Sequence, residues 1–312
     1  MDAIDHNAMD HDQPWDCIVV GGGAAGLSAA LVLGRARRRT LLVDAGRPSN
    51  RVAHGVGGLL GHDRRPPAEL YAAGRAEVAA YPSVEVREGE VVAGARTEAG
   101  FVLDLADGRR ESARRVLLAT GMDYRHPELP GLAERFGRSV FHCPFCHGWE
   151  VRERPLGVLD RGETGVLRAL LLRAWSDDVT LFADGPAELD PADADRLRAV
   201  GVAVDERPVA GLRGPGDELA AVVFAGGGEQ RCEGLLVPVT LHQRSGLAAK
   251  LGAEPAAPGH VAADAVQVDP MLETTVPGLS AAGDLSSQMP SVANAVAAGS
   301  NAAAAIVRSL VT

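Results

Sequence analysis

Gly21-Gly22-Gly23-Ala24-Ala25-Gly26 constrains this chain more than any other stretch. It follows a short apolar, β-rich run, Asp16–Val20, and precedes an Ala/Leu segment, Leu27–Arg37, that reads as a helix. A second apolar run, Thr40–Val43, ends in Asp44. Strand, glycine turn, helix, strand and acid make a βαβ unit with a G-x-G-x-x-G fingerprint. Gly21 permits the tight turn, Gly23 lets backbone approach a pyrophosphate, and Gly26 allows close helix–strand packing. The helix N-terminus adds unpaired N–H groups and a positive dipole end. Asp44 can accept from both hydroxyls of a ribose. The motif alone does not choose between a flavin and a nicotinamide dinucleotide.

The same layout returns about 140 residues on. Leu156–Leu159 reads as a strand, Gly162–Gly165 as a loop, Val166–Ala174 as a helix and Val179–Ala183 as the next strand. Between the two units, residues 84–105 alternate apolar and polar like a small antiparallel meander, and Arg115–Ala119 reads as a strand ending at Thr120-Gly121. Further strands are expected at Ala221–Phe224, Leu235–Val239 and Val266–Val268, and a long Ala-rich helix over Val292–Leu310. The fold class is therefore α/β with two Rossmann-like domains. At 312 residues and 46% hydrophobic, the chain can bury two cores.

The second loop departs from the fingerprint. Asp160-Arg161-Gly162-Glu163-Thr164-Gly165 puts a carboxylate where the first glycine belongs. That adds negative charge beside a pyrophosphate and a Cβ in a turn that favours none. After the next strand, Ala183-Asp184-Gly185 offers no arginine for a 2′-phosphate. These features point to a lost or weak nicotinamide site, against an ordinary variant that binds through other contacts.

Cys143-Pro144-Phe145-Cys146-His147 lies between the two loops. Two thiols three residues apart can close and reopen a disulfide, which stores two electrons. Proline stiffens the turn, and His147 can move the proton that each exchange requires. Half a zinc site is the competing reading. It would need further ligands, and the remaining cysteines, Cys17 and Cys232, are single and distant. Redox chemistry is favoured and no metal is expected. Cys17 reads as a small buried hydrophobe. Trp149 reads as packing, Glu150 as solvated, and His54 and His62 as loop histidines of a Gly-rich segment.

Charge and leader patterns narrow the setting. The net charge of −10 argues against nucleic acid or an anionic membrane as partner. Residues 1–15 are polar, lack a secretory pattern and are expected to form a flexible tail, with His6 and His11 solvated. No apolar run is long enough to span a membrane, so a cytoplasmic location is expected. Ala281-Ala282-Gly283-Asp284, just before the last helix, suits either a flavin ligand or a helix-start residue by spacing alone.

Taken together, GGGAAG with Asp44, Ala119-Thr120-Gly121, the mid-chain CxxC and Thr274-x-Val276-Pro277-Gly278-x-x-Ala281-Ala282-Gly283-Asp284 resemble the low-molecular-weight thioredoxin reductases over nearly all of residues 16–310. The resemblance implies an FAD domain of residues 16–124 and 245–312, split around an inserted NAD(P)-like domain, 125–244, that carries the dithiol. It also implies a homodimer. FAD would be held by Gly21, Gly23, Ala24, Ala25, Gly26, Asp44, Ala45, Asn50, Thr120, Gly121, Gly283, Asp284, Val292 and Ala293. His147 stands where reductases usually carry an acid, and the second loop is degraded. In both respects the chain resembles instead the thioredoxin-reductase-like dithiol oxidases of gliotoxin- and holomycin-type pathways. These use FAD and pass electrons from a small-molecule or peptide dithiol to O2. By that resemblance Cys146 is the flavin-proximal sulfur, Cys143 the sulfur attacked by substrate, and His147 the base. A thioredoxin-reductase-type disulfide reductase and a flavin-binding redox sensor are the alternatives.

Overall fold

The computed structural model describes residues 13–312. The chain divides into two compact units. The first runs to Ser49 and takes in Ala68–Asp123 and Leu241–Thr312; the second is Asn50–Pro67 and Tyr124–Thr240. The sequence division kept residues 50–67 with the first segment and placed the return crossing at 244/245.

The first unit opens with β1 (Trp15–Val20), α1 (Ala24–Arg35), β2 (Thr40–Asp44), α2 (Pro67–Ala79) and β3 (Val84–Glu88). β1 pairs in parallel with β2, and β2 with β3. Strands covered on both faces need continuous apolar runs, and Ile18, Val19, Leu41 and Leu42 are fully buried. Next come β4 (Val91–Thr97), β5 (Gly100–Leu105) and β6 (Arg110–Leu118), joined antiparallel in sequence. β6 then runs parallel to β1, with Val19 opposite both Leu42 and Leu117. The expected meander over 84–105 is thus corrected. Residues 84–88 are a parallel edge strand, and the antiparallel part is β4-β5-β6. Alternation marks a half-buried strand whatever its partner's direction, so the pattern could not separate the two.

β7 (Met122–Arg125) leads out of this unit. The second unit contains β8 (Val140–Phe141), α3 (Pro144–His147), β9 (Leu156–Leu159), α4 (Gly162–Leu172), β10 (Val179–Phe182), α5 (Pro191–Ala199) and β11 (Ala203–Asp205). An antiparallel three-stranded sheet follows, β12 (Val209–Arg213), β13 (Ala221–Phe224) and β14 (Glu229–Arg231), and then β15 (Gly234–Leu236). The main sheet is parallel in the order β11-β10-β9-β15-β8. Residues 162–165, expected as loop, are already the first turn of α4.

β16 (Thr240–Gln243) pairs with β7 where the chain returns. Then come α6 (Leu247–Lys250), β17 (Leu279–Ala281) and α7 (Val292–Ser309). β17 joins the second half of β6, beside β5 on the first half. Val266–Val268, expected as a strand, makes only single bridges, Val266 to Pro255 and Val268 to Thr274. The alanines of α1 and α7 have a packing cause. A Cβ on Gly299 would fall 2.0 Å from the Ala25 carbonyl oxygen, and Ser28 Oγ donates to the Val296 carbonyl at 2.8 Å. Only small residues allow so close a crossing, and Ala29, Ala302 and Ala303 are fully buried there.

Of the tail expected over 1–15, Trp15 belongs instead to β1. It is 2% exposed, with its indole N–H donating to Glu111 at 2.8 Å. His6 and His11 lie outside the described residues. Among the described residues no helix is long and apolar enough to cross a membrane.

Candidate active site: a disulfide turn and a dinucleotide loop

The dinucleotide loop is built by contacts that tolerate no side chain. Gly21 has φ +107°, and a Cβ there would sit 2.3 Å from the Ala119 carbonyl oxygen and 3.2 Å from Thr120 N. Gly26 would put one 1.7 Å from the Gly21 oxygen, which is the close helix–strand approach its position requires. Gly23, the N-cap of α1, differs: nothing lies within 4 Å of its Cβ position, so the cradle over the helix N-terminus stands open. Gly22 had no assigned role. Its N–H donates to Asp44 Oδ1 at 3.1 Å, and a Cβ would fall 2.4 Å from the Asp44 carboxyl carbon. The run of three glycines was the available signal. Gly46 N–H donates to the same oxygen at 3.0 Å, so the carboxylate is fixed at the end of β2.

The remaining expected cofactor residues of the first unit fall around α1 and α7. Gly283 has φ +81° and lies against Ala25, where its Cβ would be 3.0 Å from that of Ala25. Asp284 follows it in a 3-10 turn, Gly283–Ser286. Val292 and Ala293 form the first turn of α7, whose cap Ser291 accepts from Asn294 N–H at 3.1 Å. A cleft of about 300 Å³ is lined by Gly283, Asp284, Ser291 and Asn294 among others. Ala24 and Ala25 open α1, Ala45 is exposed after β2, and Gly121 has φ +69°. Asn50 falls in the second unit, apart from the unit that holds all the others. An open cradle at Gly23 and an anchored ribose-type acid at Asp44 fit an adenine dinucleotide.

In the second unit Cys143 and Cys146 are joined in a disulfide, with Cα atoms 5.4 Å apart. Cys143 caps α3 and Pro144 takes its first position, where a missing N–H costs nothing. The turn closes with Gly148 N–H donating to the Pro144 carbonyl at 2.7 Å. A Cβ on Gly148 would sit 2.9 Å from the Trp175 ring. Cys17 and Cys232 are buried free thiols, each pushed by burial to about 12, so neither is a thiolate at neutral pH.

His147 stacks on Phe141, ring centroids 5.7 Å apart, and its Nε2 donates to the Gly137 carbonyl at 3.0 Å. That assignment leaves the Nδ1 lone pair, which is buried and has no hydrogen-bond partner. Burial lowers the pKa of this ring, opposed by the Gly137 carbonyl, Glu150 and the Cys143 carbonyl. His142, among Tyr124 and Phe136, is pushed to about 4 first by burial, then by the cost of a second protonated imidazole beside His147 and by the Arg168 guanidinium. The segment 50–67 is part of this site. A Cβ on Gly57 would fall 2.8 Å from the Cys146 carbonyl oxygen, and Arg138 donates to the Val52 carbonyl at 3.0 Å. His54 Nε2 lies 3.4 Å from Asp217. Trp149 does not pack as expected. It is 57% exposed, because the short turn points it outward under the guanidinium of Arg152.

The second loop holds its own anion. Asp160 accepts the Arg161 N–H at 2.8 Å and pairs with Arg168 of α4. Gly162 N–H donates to the Ala187 carbonyl at 2.9 Å. Arg161 reaches the Asp184 carbonyl at 2.9 Å, so an arginine does stand at the end of β10, tied to the backbone. Among the described residues no group of three His, Cys, Asp or Glu residues is placed to hold a metal ion.

Residues 15–299 match the model of the pyridine nucleotide-disulphide oxidoreductases. The thioredoxin reductase tcpT of Claviceps purpurea is 33% identical over 300 residues, covering 91% of this chain and 90% of that protein. The solved structure of HlmI is 39% identical, covers 98% of this chain and 95% of its own, and superposes with a TM-score of 0.89. An oxidoreductase from Agrobacterium tumefaciens gives 37% identity, coverage of 96% and 99%, and a TM-score of 0.90. A glycine cradle built for a dinucleotide, a disulfide turn on a second Rossmann-like unit, and these likenesses along the whole chain agree: it belongs to the pyridine nucleotide-disulphide oxidoreductases, as an FAD-binding thiol–disulfide oxidoreductase of thioredoxin-reductase type.

Proposed function

We propose that the chain is an FAD-dependent dithiol oxidase that closes a disulfide in a small-molecule or peptide substrate, with O2 as final acceptor. The observation that carries this reading is the contrast between the two loops. At the first position of the turn Gly21 carries no side chain, whereas Asp160 holds the corresponding place with a carboxylate already paired to Arg168; the position that opens each helix, Gly23 or Gly162, has free space in both loops. A dinucleotide phosphate approaching there meets a like charge and donors already engaged.

In this reading His147 Nδ1 accepts the proton of the first substrate thiol, being neutral and unpartnered. The thiolate attacks Cys143 Sγ, the Cys143–Cys146 bond breaks, and Cys146 leaves as a thiolate. The second substrate thiol attacks the substrate sulfur of the mixed disulfide, expelling Cys143. The substrate has lost two electrons and two protons, and the protein holds a dithiol. Bound FAD would supply the acceptor for that electron pair, with O2 and two protons leaving as peroxide and the Cys143–Cys146 disulfide restored. The first unit's residues Gly21, Gly23, Ala24, Ala25, Gly26, Asp44, Ala45, Thr120, Gly121, Gly283, Asp284, Val292 and Ala293 hold the cofactor in this scheme, Asn50 from the second unit assists, and the working form is a homodimer.

A second reading, a disulfide reductase driven by NAD(P)H, draws on Arg161 beside Asp184, a cation near the end of β10. Anaerobic addition of NADPH, NADH or a dithiol to the flavin-loaded protein separates the two. The expected result is bleaching of the visible flavin band by dithiol, reversed by air and lost in Cys143→Ser, with no rapid response to either nicotinamide. Rapid bleaching by NADPH overturns the oxidase reading.

A further inference from the structure

His147 takes its orientation from a backbone oxygen. A carbonyl can only accept, so the 3.0 Å contact between Nε2 and the Gly137 oxygen puts the ring's hydrogen on Nε2 and leaves the lone pair on Nδ1. The Cys143 carbonyl, four residues back in the same turn, is a second backbone oxygen that favours a proton on this ring. A neutral imidazole has only one N–H to give. Which nitrogen carries it is therefore decided by how firmly the Gly137 oxygen is held.

Gly137 has φ +81°, and its N–H donates to the Val140 carbonyl at 2.8 Å, which closes a tight turn. A Cβ there would fall 2.7 Å from Val52 Cγ2, so the segment 50–67 lies directly on this turn. Arg138, the next residue, ties the turn to two other stretches of the second unit. Its Nε donates to the Val52 carbonyl at 3.0 Å and its Nη1 to the Asp217 carboxylate, which His54 also approaches at 3.4 Å. Ser139 Oγ donates to the Asp217 carbonyl at 2.5 Å. Just before the turn, Arg135 is buried and donates to the Gly131, Gly214 and Glu218 carbonyls. Residues 135, 138 and 139 thus all grip the loop 214–218. The Arg138–Asp217 pair is partly exposed and adds little stability by itself. Its value is geometric, because a guanidinium presents its donors in one rigid plane and can fix two acceptors at once.

We infer that Arg138, braced by Asp217, is a positioning residue that fixes the Gly137 carbonyl and through it selects the His147 tautomer whose Nδ1 is free to take a proton. The use of that nitrogen rests on the dithiol oxidase reading; the choice of tautomer does not.

Two measurements on the FAD-loaded protein test this. Imidazole nitrogen NMR of isotope-labelled histidine reads the tautomer without any substrate, the His147 signals being identified by their loss in His147→Gln. The wild type is expected to hold His147 in the Nε2–H form, and Arg138→Ala to move it toward a mixture of both forms. Asp217→Asn, which keeps the side-chain shape, should act in the same direction and guards against misfolding of the first variant. The second readout is the rate of anaerobic flavin bleaching by dithiothreitol. At about pH 7, Arg138→Ala is expected to be slower by about tenfold, part of what a general base supplies. At about pH 10 the dithiol is already ionised and needs no base, so the variant should come within about twofold of wild type. Wild-type His147 in the Nδ1–H form, an unchanged tautomer in both variants, or a rate loss equal at the two pH values overturns the inference and leaves the oxidase reading standing. A wild-type flavin bleached by NADPH and not by dithiothreitol sinks the oxidase reading, and the tautomer then decides the role of Arg138 alone.

Discussion

His142 and His147 sit five residues apart and are both held toward the neutral form, with burial as the first cause in each. Their consequences differ. His147 has a hydrogen-bonded Nε2 and a buried Nδ1 without a partner, the atom that the proposed scheme uses as its base. His142 is packed among Tyr124 and Phe136, and its effect is on stability. Its folded pKa is about 4, against about 6.5 in the unfolded chain. Above pH 6.5 both states are neutral and the fold keeps its full stability. As pH falls from 6.5 toward 4, the unfolded chain binds a proton that the folded one does not, so stability is lost. Carboxylates add to this acid sensitivity, and the informative quantity is a difference between variants. In urea melts, the loss of stability from pH 7 to pH 5 should be smaller in His142→Phe than in wild type by about 1 to 2 kcal/mol. Equal losses would place the proton uptake elsewhere.

Within the β1–α1 element, two glycines of one motif should fail in different ways. A Cβ on Gly26 would overlap the Gly21 carbonyl oxygen, backbone that cannot rotate aside, whereas Gly23 has open space and an ordinary φ of −76°. Gly26→Ala should therefore destabilise the protein by about 3 kcal/mol or more, the top of the overpacking range. Gly23→Ala should leave the flavin-free melting free energy within about 0.5 kcal/mol of wild type while weakening FAD at least about tenfold. Melting curves with and without FAD check both. A Gly23→Ala protein as unstable as Gly26→Ala would mean that the cradle is already filled by protein. This motif was legible because steric demand selects residue type directly. β3 could not be read as parallel, since alternation reports a half-buried face and not the partner. α2 and α5 went unread because their apolar stripes are thin beside those of α1. The position of Gly57 on Cys146 had no local signal at all, since it depends on where a distant loop comes to rest. Trp149 was misread as packing because sequence cannot show that a four-residue helical turn ends by pointing it into solvent.

At the scale of the whole molecule, the chain carries two stores of electron pairs on two different units. One is the Cys143–Cys146 disulfide of the second unit, and the other is the FAD that the proposed scheme assigns to the first. Each takes two electrons. The other cysteines are buried, distant in sequence and raised to about 12, so they add no third store. An anaerobic dithionite titration of the flavin-loaded protein should therefore reach full bleaching after about two equivalents per chain, and Cys143→Ser/Cys146→Ser after about one. The double variant matters because a disulfide without electronic access to the flavin would leave both proteins bleaching at the same equivalence point. Equal end points near one equivalent would show that the disulfide does not exchange electrons with the cofactor. The CxxC would then act as a switch and not as a carrier, and the redox-sensor alternative would replace the oxidase.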